Sequence, residues 1–304
     1  MTRPEVSLVE VGPRDGLQNE KTPIPTGAKV RFIEALAAAG HRRIEAAAFV
    51  SPKAVPQLAD ATAVMMGLSR ADGVVYSALV PNEKGYEAAR AADVDEIAVF
   101  TAASDTFNLR NTHATVDASF ERFAPVLVQA ARDGIRVRGY VSTAVVCPFE
   151  GPISPERAAD VAERLLDLGC FEVSLGDTIG KAVPPDVVRL LDACRARGMI
   201  DRVAGHFHDT WGFGVANVMA AFEAGVRVFD ASAGGLGGCP YAPGAGGNVA
   251  TEDLVALFDA LGVRTGVDLG AVVSAAEALE THIGRSVGGR AAAAWKAACR
   301  RDGG

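Results

Sequence analysis

The sequence predicts an α/β fold, a (β/α)8 TIM barrel with a C-terminal helical extension. Strand-like and helix-like segments alternate from the start of the chain, which implies parallel strands joined by crossover helices. Eight such units fall within roughly 260 residues, the usual size of this barrel. The polar residues that could carry chemistry sit at the C-terminal ends of the predicted strands, the rim where barrel enzymes keep their sites. An open doubly wound sheet is the alternative, but no G-x-G-x-x-G opens the first helix.

The first strand is expected at residues 6–11, a short apolar run. A helix follows over 26–39, with Val30, Ile33 and Ala37 at helical spacing and Gly40 as its stop. The second strand, 43–47, precedes a helix over 57–68. Gly73 introduces a strand at 74–80, and Asn82 is placed to cap a helix over 83–91. A strand at 96–100 leads to a helix over 116–132, ended by Asp133-Gly134, and then to a strand at 136–142. Ser154 as N-cap and Pro155 in the first position open a helix that runs to 168. A strand at 171–175 runs into Gly176-Asp177-Thr178. A helix over 185–197, a strand over 202–208, a helix over 214–224 and a strand over 227–231 follow. The last repeat helix spans 251–261, with Thr251 as its cap and acids behind it. These units make one catalytic domain, residues 1–264. The tail, 265–304, is alanine-rich and helical by propensity, with breaks at Gly284, Gly288 and Gly289. It is expected to pack on the barrel; an oligomer contact and a solvent-facing extension are the other readings.

Apolar residues make up 49 % of the 304, enough for a sizeable core, and the net charge is -7. That charge argues against a nucleic-acid partner held by backbone electrostatics, though local arginines can still serve an anionic substrate. The five cysteines are scattered and odd in number, so a reducing cytoplasm is expected rather than a disulfide framework. The opening MTRPEVSLVEVGPRDG lacks the apolar stretch of a signal peptide, and no apolar run is long enough to span a bilayer.

Three stretches concentrate the chemistry. From Gly234 to Gly247, seven of fourteen positions are glycine, with Cys239 in their midst. Glycine at this density is poor for a core and suits a loop whose backbone approaches a ligand. A thiol there is a candidate for chemistry; an incidental cysteine in a flexible loop is the plainer alternative. Arg14-Asp15 follows the first strand. His206 and His208, two apart on a strand, project to one side as metal ligands must.

The pieces VEVGPRDGLQNE, FVSPKAVPQ, RGYVS, SLGDTIG, HFHDT and GLGGCPYAPGAGGNVATEDL stand in that order along the chain. Together they resemble the 3-hydroxy-3-methylglutaryl-CoA lyase family, within the larger group of metal-dependent lyases and Claisen-type synthases built on a TIM barrel. The resemblance covers most of the chain. The arginine-aspartate and His-x-His pieces belong to the wider group, whereas GLGGCPYA and GPRDGLQNE are more specific to the lyase branch.

The resemblance implies cleavage of 3-hydroxy-3-methylglutaryl-CoA to acetyl-CoA and acetoacetate. A related 3-hydroxy-3-alkylglutaryl-CoA or citramalyl-CoA is the alternative substrate. It assigns a divalent metal, Mg²⁺ or Mn²⁺, to Asp15, His206, His208 and Asn248. This oxygen and nitrogen set without thiolate suits those ions, with Co²⁺ or Zn²⁺ as substitutes. Asn248, flanked by Gly247, also reads as a turn residue. Arg14 is placed to stabilise the enolate, and Cys239 to protonate it as a general acid. Asp177 is expected to deprotonate the substrate hydroxyl, relayed through His206. Glu45 either orients Arg14 or a metal-bound water, or makes a structural ion pair. Gln18, Ser142 and Thr178 are expected to contact the substrate carboxylate or thioester, or to cap local backbone. An acyl-CoA substrate, a homodimer, and no nucleic-acid or membrane partner complete the expectation.

Two places depart from the family pattern. Ala46-Ala47-Ala48 follows Glu45 where relatives carry hydroxyl side chains, which removes polar groups near the acyl pocket. The segment GRSVGG, 284–289, differs from the asparagine- and lysine-bearing version that contacts CoA in relatives. A Claisen synthase fits the cysteine loop less well, and a silent scaffold barrel fits the retained polar set less well.

Overall fold

The computed structural model describes residues 5–238 and 247–302. Eight strands form a closed barrel: β1 (Ser7–Glu10), β2 (Arg43–Ala48), β3 (Val75–Leu79), β4 (Glu96–Ala102), β5 (Arg136–Ser142), β6 (Glu172–Asp177), β7 (Val203–Phe207) and β8 (Val228–Ala231). All neighbours run parallel, and β8 closes on β1 with Ser7 opposite Val228 and Glu10 opposite Ala231. This is the predicted (β/α)8 barrel.

The helices around it are α1 (Thr26–Ala38), α2 (Ala61–Gly67), α3 (Glu83–Ala91), α4 (Asp105–Thr112), α5 (Val116–Asp133), α6 (Pro155–Leu168), α7 (Pro184–Ala196), α8 (Gly214–Glu223) and α9 (Thr251–Ala260). Two more, α10 (Leu269–Ile283) and α11 (Arg290–Asp302), follow in the tail. Buried Val272, Ala276 and Leu279 seat α10 on the molecule, and Trp295 of α11 lies against Gly270. No helix among the described residues is long and apolar enough to cross a membrane.

Several local expectations hold. Asn82 Oδ1 accepts from Gly85 N–H, and Ser154 Oγ accepts from Arg157 N–H, so both act as N-caps. Others do not. The helix expected over 57–68 splits into a short turn at Pro56–Leu58 and α2. The amide of Gln57 is buried and clamps the neighbouring loop: Oε1 accepts from Ile24 N–H, and Nε2 donates to the Glu20 and Thr22 carbonyls. Helix α4 lies where no element was expected; Ser104 caps it by accepting from Phe107 N–H. Thr251 is not a cap. It sits inside α9, and its hydroxyl donates to Glu10 Oε2 at 2.7 Å.

The strands alternate between two media. Their outward residues, among them Ile44, Tyr76, Ile97, Val173 and Phe229, join Ile33, Leu165 and Phe258 of the helices in one continuous apolar shell. The inward residues include a column of charge. Arg43 pairs with Glu172 at 3.0 Å, Arg138 with Glu172 at 2.7 Å, and Arg138 with Asp230 at 2.8 Å. Buried charges persist when each has a partner of opposite sign, and here they support the floor of the site.

Candidate active site

A cavity of about 620 Å³ opens at the C-terminal rim of the barrel. Its walls include Arg14, Asp15, Gln18, Tyr140, Ser142, Thr178, His206 and His208. The rim beyond them carries Asn111, Thr112 and His113 at the end of α4, with Arg122 of α5.

Arg14 and Asp15 arrive on a wide π-helical turn, Gly12–Gly16, directly after β1. The Val11 carbonyl accepts from both Arg14 and Gly16 N–H, which holds the turn open. Such turns often mark functional sites. Arg14 is buried and doubly paired: Nε donates to Glu45 Oε2 at 2.7 Å, and Nη1 to Asp15 Oδ1 at 2.6 Å. Burial works against its charge, but Glu45 and Asp15 outweigh burial and keep it protonated. The Tyr140 ring packs under the guanidinium, 5.5 Å from centroid to Cζ. Glu45 thus pairs with Arg14, a contact that both the orienting role and the structural ion pair expected for it require.

His206 lies on the inner face of β7, and His208 follows the strand, where it bridges Asn248. Their Nε2 atoms stand 3.3 Å apart. His206 Nδ1 lies 3.0 Å from Asp230 Oδ2, which also accepts from Ser174 Oγ. That contact turns the other ring nitrogen toward the cavity. Burial, and then His206, lower His208 to about 4, so its ring is neutral and its lone pair available. Asp15, His206 and His208 bring one ligand atom each within 4.8 Å of one another. Asn248 Nδ2 donates to Asp15 Oδ2 at 2.8 Å, while its Oδ1 is buried with no hydrogen-bond partner among the described residues. A buried acceptor left in this way beside three convergent donors fits a bound divalent cation.

The remaining expected residues divide. Gln18 lines the cavity and donates to Asp15 Oδ1 at 2.7 Å. Ser142 and Thr178 line it too, and Thr178 Oγ1 accepts from Thr143 N–H, a local capping bond. Asp177 does not reach the cavity. Glu172, Ser174 and Gly176 take the inner face of β6, so parity turns Asp177 outward, where it accepts from Lys181 and Ala182 N–H at 3.1 Å each. Burial raises it to about 6. Cys239 lies outside the described residues. Its neighbour Gly238 lines the cavity, and the Gly238 carbonyl accepts from Asn19 Nδ2 at 2.8 Å. The base of this loop is crowded: a Cβ on Gly247 would stand 1.9 Å from the Gly235 carbonyl oxygen.

Only one of the three alanines after Glu45 faces the cavity. The register of β2 against β3 shifts between Glu45 and Ala47. Ala46 and Ala47 join the outer shell, and Ala48 joins the inner cluster with Leu79 and Tyr140. The segment 284–289 lines no part of the cavity; Gly288 N–H donates to the Gly234 carbonyl and so braces the base of the glycine-rich loop.

Tyr140, Asp230, Arg138 and Ser174 were not anticipated. A signal was present, because Arg136, Arg138, Tyr140 and Ser142 alternate with apolar residues along β5. A strand whose inner positions are all polar faces a site rather than a core.

Residues 5–279 match the HMGL-like family model. The hydroxymethylglutaryl-CoA lyase of Pseudomonas mevalonii is 52% identical over 297 residues, 98% of this chain and 99% of that protein. A Pseudomonas aeruginosa protein named 3-hydroxy-3-isohexenylglutaryl-CoA/hydroxy-methylglutaryl-CoA lyase is 50% identical over 290 residues, 95% and 97% of the two chains. The structure of an HMG-CoA lyase from Acinetobacter baumannii, in complex with coenzyme A and 3-methylmalate, superposes with a TM-score of 0.91 at 40% identity, covering 95% of each chain. The chain belongs to the HMGL-like family.

Proposed function

We propose that this protein is a carbon–carbon lyase that cleaves 3-hydroxy-3-methylglutaryl-CoA to acetyl-CoA and acetoacetate. Full-length relatives at about half identity bear that name, and one solved relative holds coenzyme A. The observation that carries the reading is the cluster of Asp15, His206 and His208 beside Arg14 in the cavity, with Asn248 Oδ1 next to it, buried and without a hydrogen-bond partner among the described residues. These four residues would hold Mg²⁺ or Mn²⁺. A divalent ion supplies Lewis-acid polarisation of the substrate hydroxyl and the ketone that replaces it.

The chain's own groups do the rest. In the cleavage the tertiary hydroxyl loses its proton, and the carbon–carbon bond breaks. Its electrons pass to the acyl-CoA carbon as an enolate, which then takes a proton to give acetyl-CoA. Arg14, fixed by Glu45 and Asp15, presents permanent positive charge where the enolate oxygen forms. Cys239 is the proposed donor of the final proton. Asp177 faces the helix layer, out of reach of the substrate hydroxyl, and does not serve as the base. Ser142, Thr178 and Gln18 are proposed to position the carboxylate and thioester arms.

The test is turnover of 3-hydroxy-3-methylglutaryl-CoA by protein stripped with a chelator and then reloaded with Mg²⁺ or Mn²⁺. Acetyl-CoA and acetoacetate are expected in equal amounts from loaded protein only. Unchanged turnover in stripped protein, or no turnover in loaded protein, would overturn the reading.

A further inference from the structure

The cavity lining is divided into two halves of different chemistry. From β5 round to β1 it is polar: Tyr140, Ser142, Thr178, His206 and Arg14. From β2 to β4 it is mainly apolar: Ala48, Leu79 and Phe100, with Val50 and Val55 from the segment after β2, and Ser51 and Asn82 the polar side chains among them. The apolar residues cluster with Leu58, Ala98 and the Tyr140 ring at the border of the polar half, apart from the shell between strands and helices. Val50, Val55 and Phe100 are only half-buried, so the wall presents open apolar surface to the cavity. Such surface favours whatever covers it roughly in proportion to the area removed from water.

The substrate class has a matching asymmetry. Three of the four groups on the reacting carbon are polar: the hydroxyl, the carboxylate arm and the thioester arm. The fourth is the alkyl substituent. The polar half accounts for the first three, and a methyl group covers little of the apolar half. The wall also starts beside the reaction. Ala48 stands three residues after Glu45, which holds Arg14, and the shift in register turns this smallest of side chains inward.

We propose that the β2–β4 wall seats the 3-alkyl substituent, and that the protein accepts 3-hydroxy-3-alkylglutaryl-CoA esters with an alkyl chain of several carbons as well as the methyl ester. This rests on the lyase reading above and deepens it. Ala48, Val55 and Phe100 are then the residues that set chain-length specificity.

The experiment compares kcat/KM for 3-hydroxy-3-methylglutaryl-CoA and synthetic 3-hydroxy-3-hexylglutaryl-CoA on metal-loaded protein. The parent is expected to cleave the hexyl ester with kcat/KM within about tenfold of the methyl ester. Ala48→Leu fills the wall and should lower the hexyl-to-methyl ratio by about tenfold or more. Val55→Phe, at a half-buried position, should move the ratio in the same direction should Ala48→Leu fold poorly. Cleavage of the methyl ester with the hexyl ester about a hundredfold slower would sink the inference and leave the lyase reading intact. Failure with both esters would sink the lyase reading itself. Equal losses on both esters in the variants would mean that the wall seats the pantetheine arm instead, and would likewise overturn the inference.

Discussion

The inside of this barrel and the shell around it are built from the same eight strands, yet they share almost no chemistry. Outward residues such as Val173, Ile97 and Phe229 meet helix residues such as Leu165 and Phe258 in a continuous apolar layer. Inward residues such as Arg43, Glu172, Arg138 and Asp230 pair with one another and carry Tyr140 and His206 above them. The contrast assigns stability and function to different faces of one sheet. Because the shell supplies enough apolar burial to hold the fold, the interior can keep buried charge, which by itself is a poor source of stability.

The sharpest way to break the contrast is to damage the shell alone. Phe258 is fully buried, with ring centroids of Phe222 and Phe229 at 5.4 and 5.7 Å. Phe258→Ala should lower the unfolding free energy by about 3–5 kcal/mol. Denaturant titration checks the loss, and kcat of the folded enzyme should stay at the parent value. A large fall in kcat at unchanged stability would show that shell and site are not separate.

Damage to the interior should read out the other way. Arg14→Gln removes the fixed charge and should cut kcat by about a hundredfold or more, with little change in KM. Steady-state kinetics on the loaded enzyme decide this. A raised KM with intact kcat would make Arg14 a binding group only.

The smallest effect comes from a polar cluster inside the shell. Glu10 accepts from Gly12 and Ala233 N–H and from the Thr251 hydroxyl, and it lies 3.5 Å from His41. Burial raises Glu10 from 4.5 to about 7 and lowers His41 from 6.5 to about 4, so the two meet as neutral groups near pH 5 to 6. The raised Glu10 contributes stability that is present below pH 4.5 and lost as pH rises through 7. The depressed His41 contributes stability that is present above pH 6.5 and lost as pH falls through 4. The two oppose each other in the window they share. Glu10→Gln leaves His41 alone, so stability should then fall on acidification below pH 6.5 more steeply than in the parent, by up to about 1.4 kcal/mol per pH unit. Urea midpoints between pH 7 and 4.5 test it; parallel curves for parent and variant would refute the pairing.

Much of this is legible in the sequence. The eight units follow from apolar periodicity and from caps such as Asn82 and Ser154. Asp15, His206, His208 and Asn248 converge because all four leave C-terminal strand ends of one closed sheet. What was not legible depends on partners far away in sequence. Thr251 has the local pattern of a cap, but its hydroxyl is taken by Glu10, 241 positions earlier. Asp177 stands at a strand end like the residues that line the cavity. Its direction is set by the parity of β6, which shows only once Ser174 is seen to meet Asp230 inside the barrel. Helix α4 carries a capping serine but too few apolar positions to stand out as periodic.

The shift in register on β2 has a consequence for how this strand tolerates change. One residue inverts the phase of the strand midway, so adjacent positions answer to different constraints. Substitutions at Ala47 are judged by volume against the helix layer; substitutions at Ala48 are judged by what the cavity must admit. The selectivity of such an enzyme can therefore drift through a single alanine codon while its immediate neighbour stays under the unrelated discipline of packing.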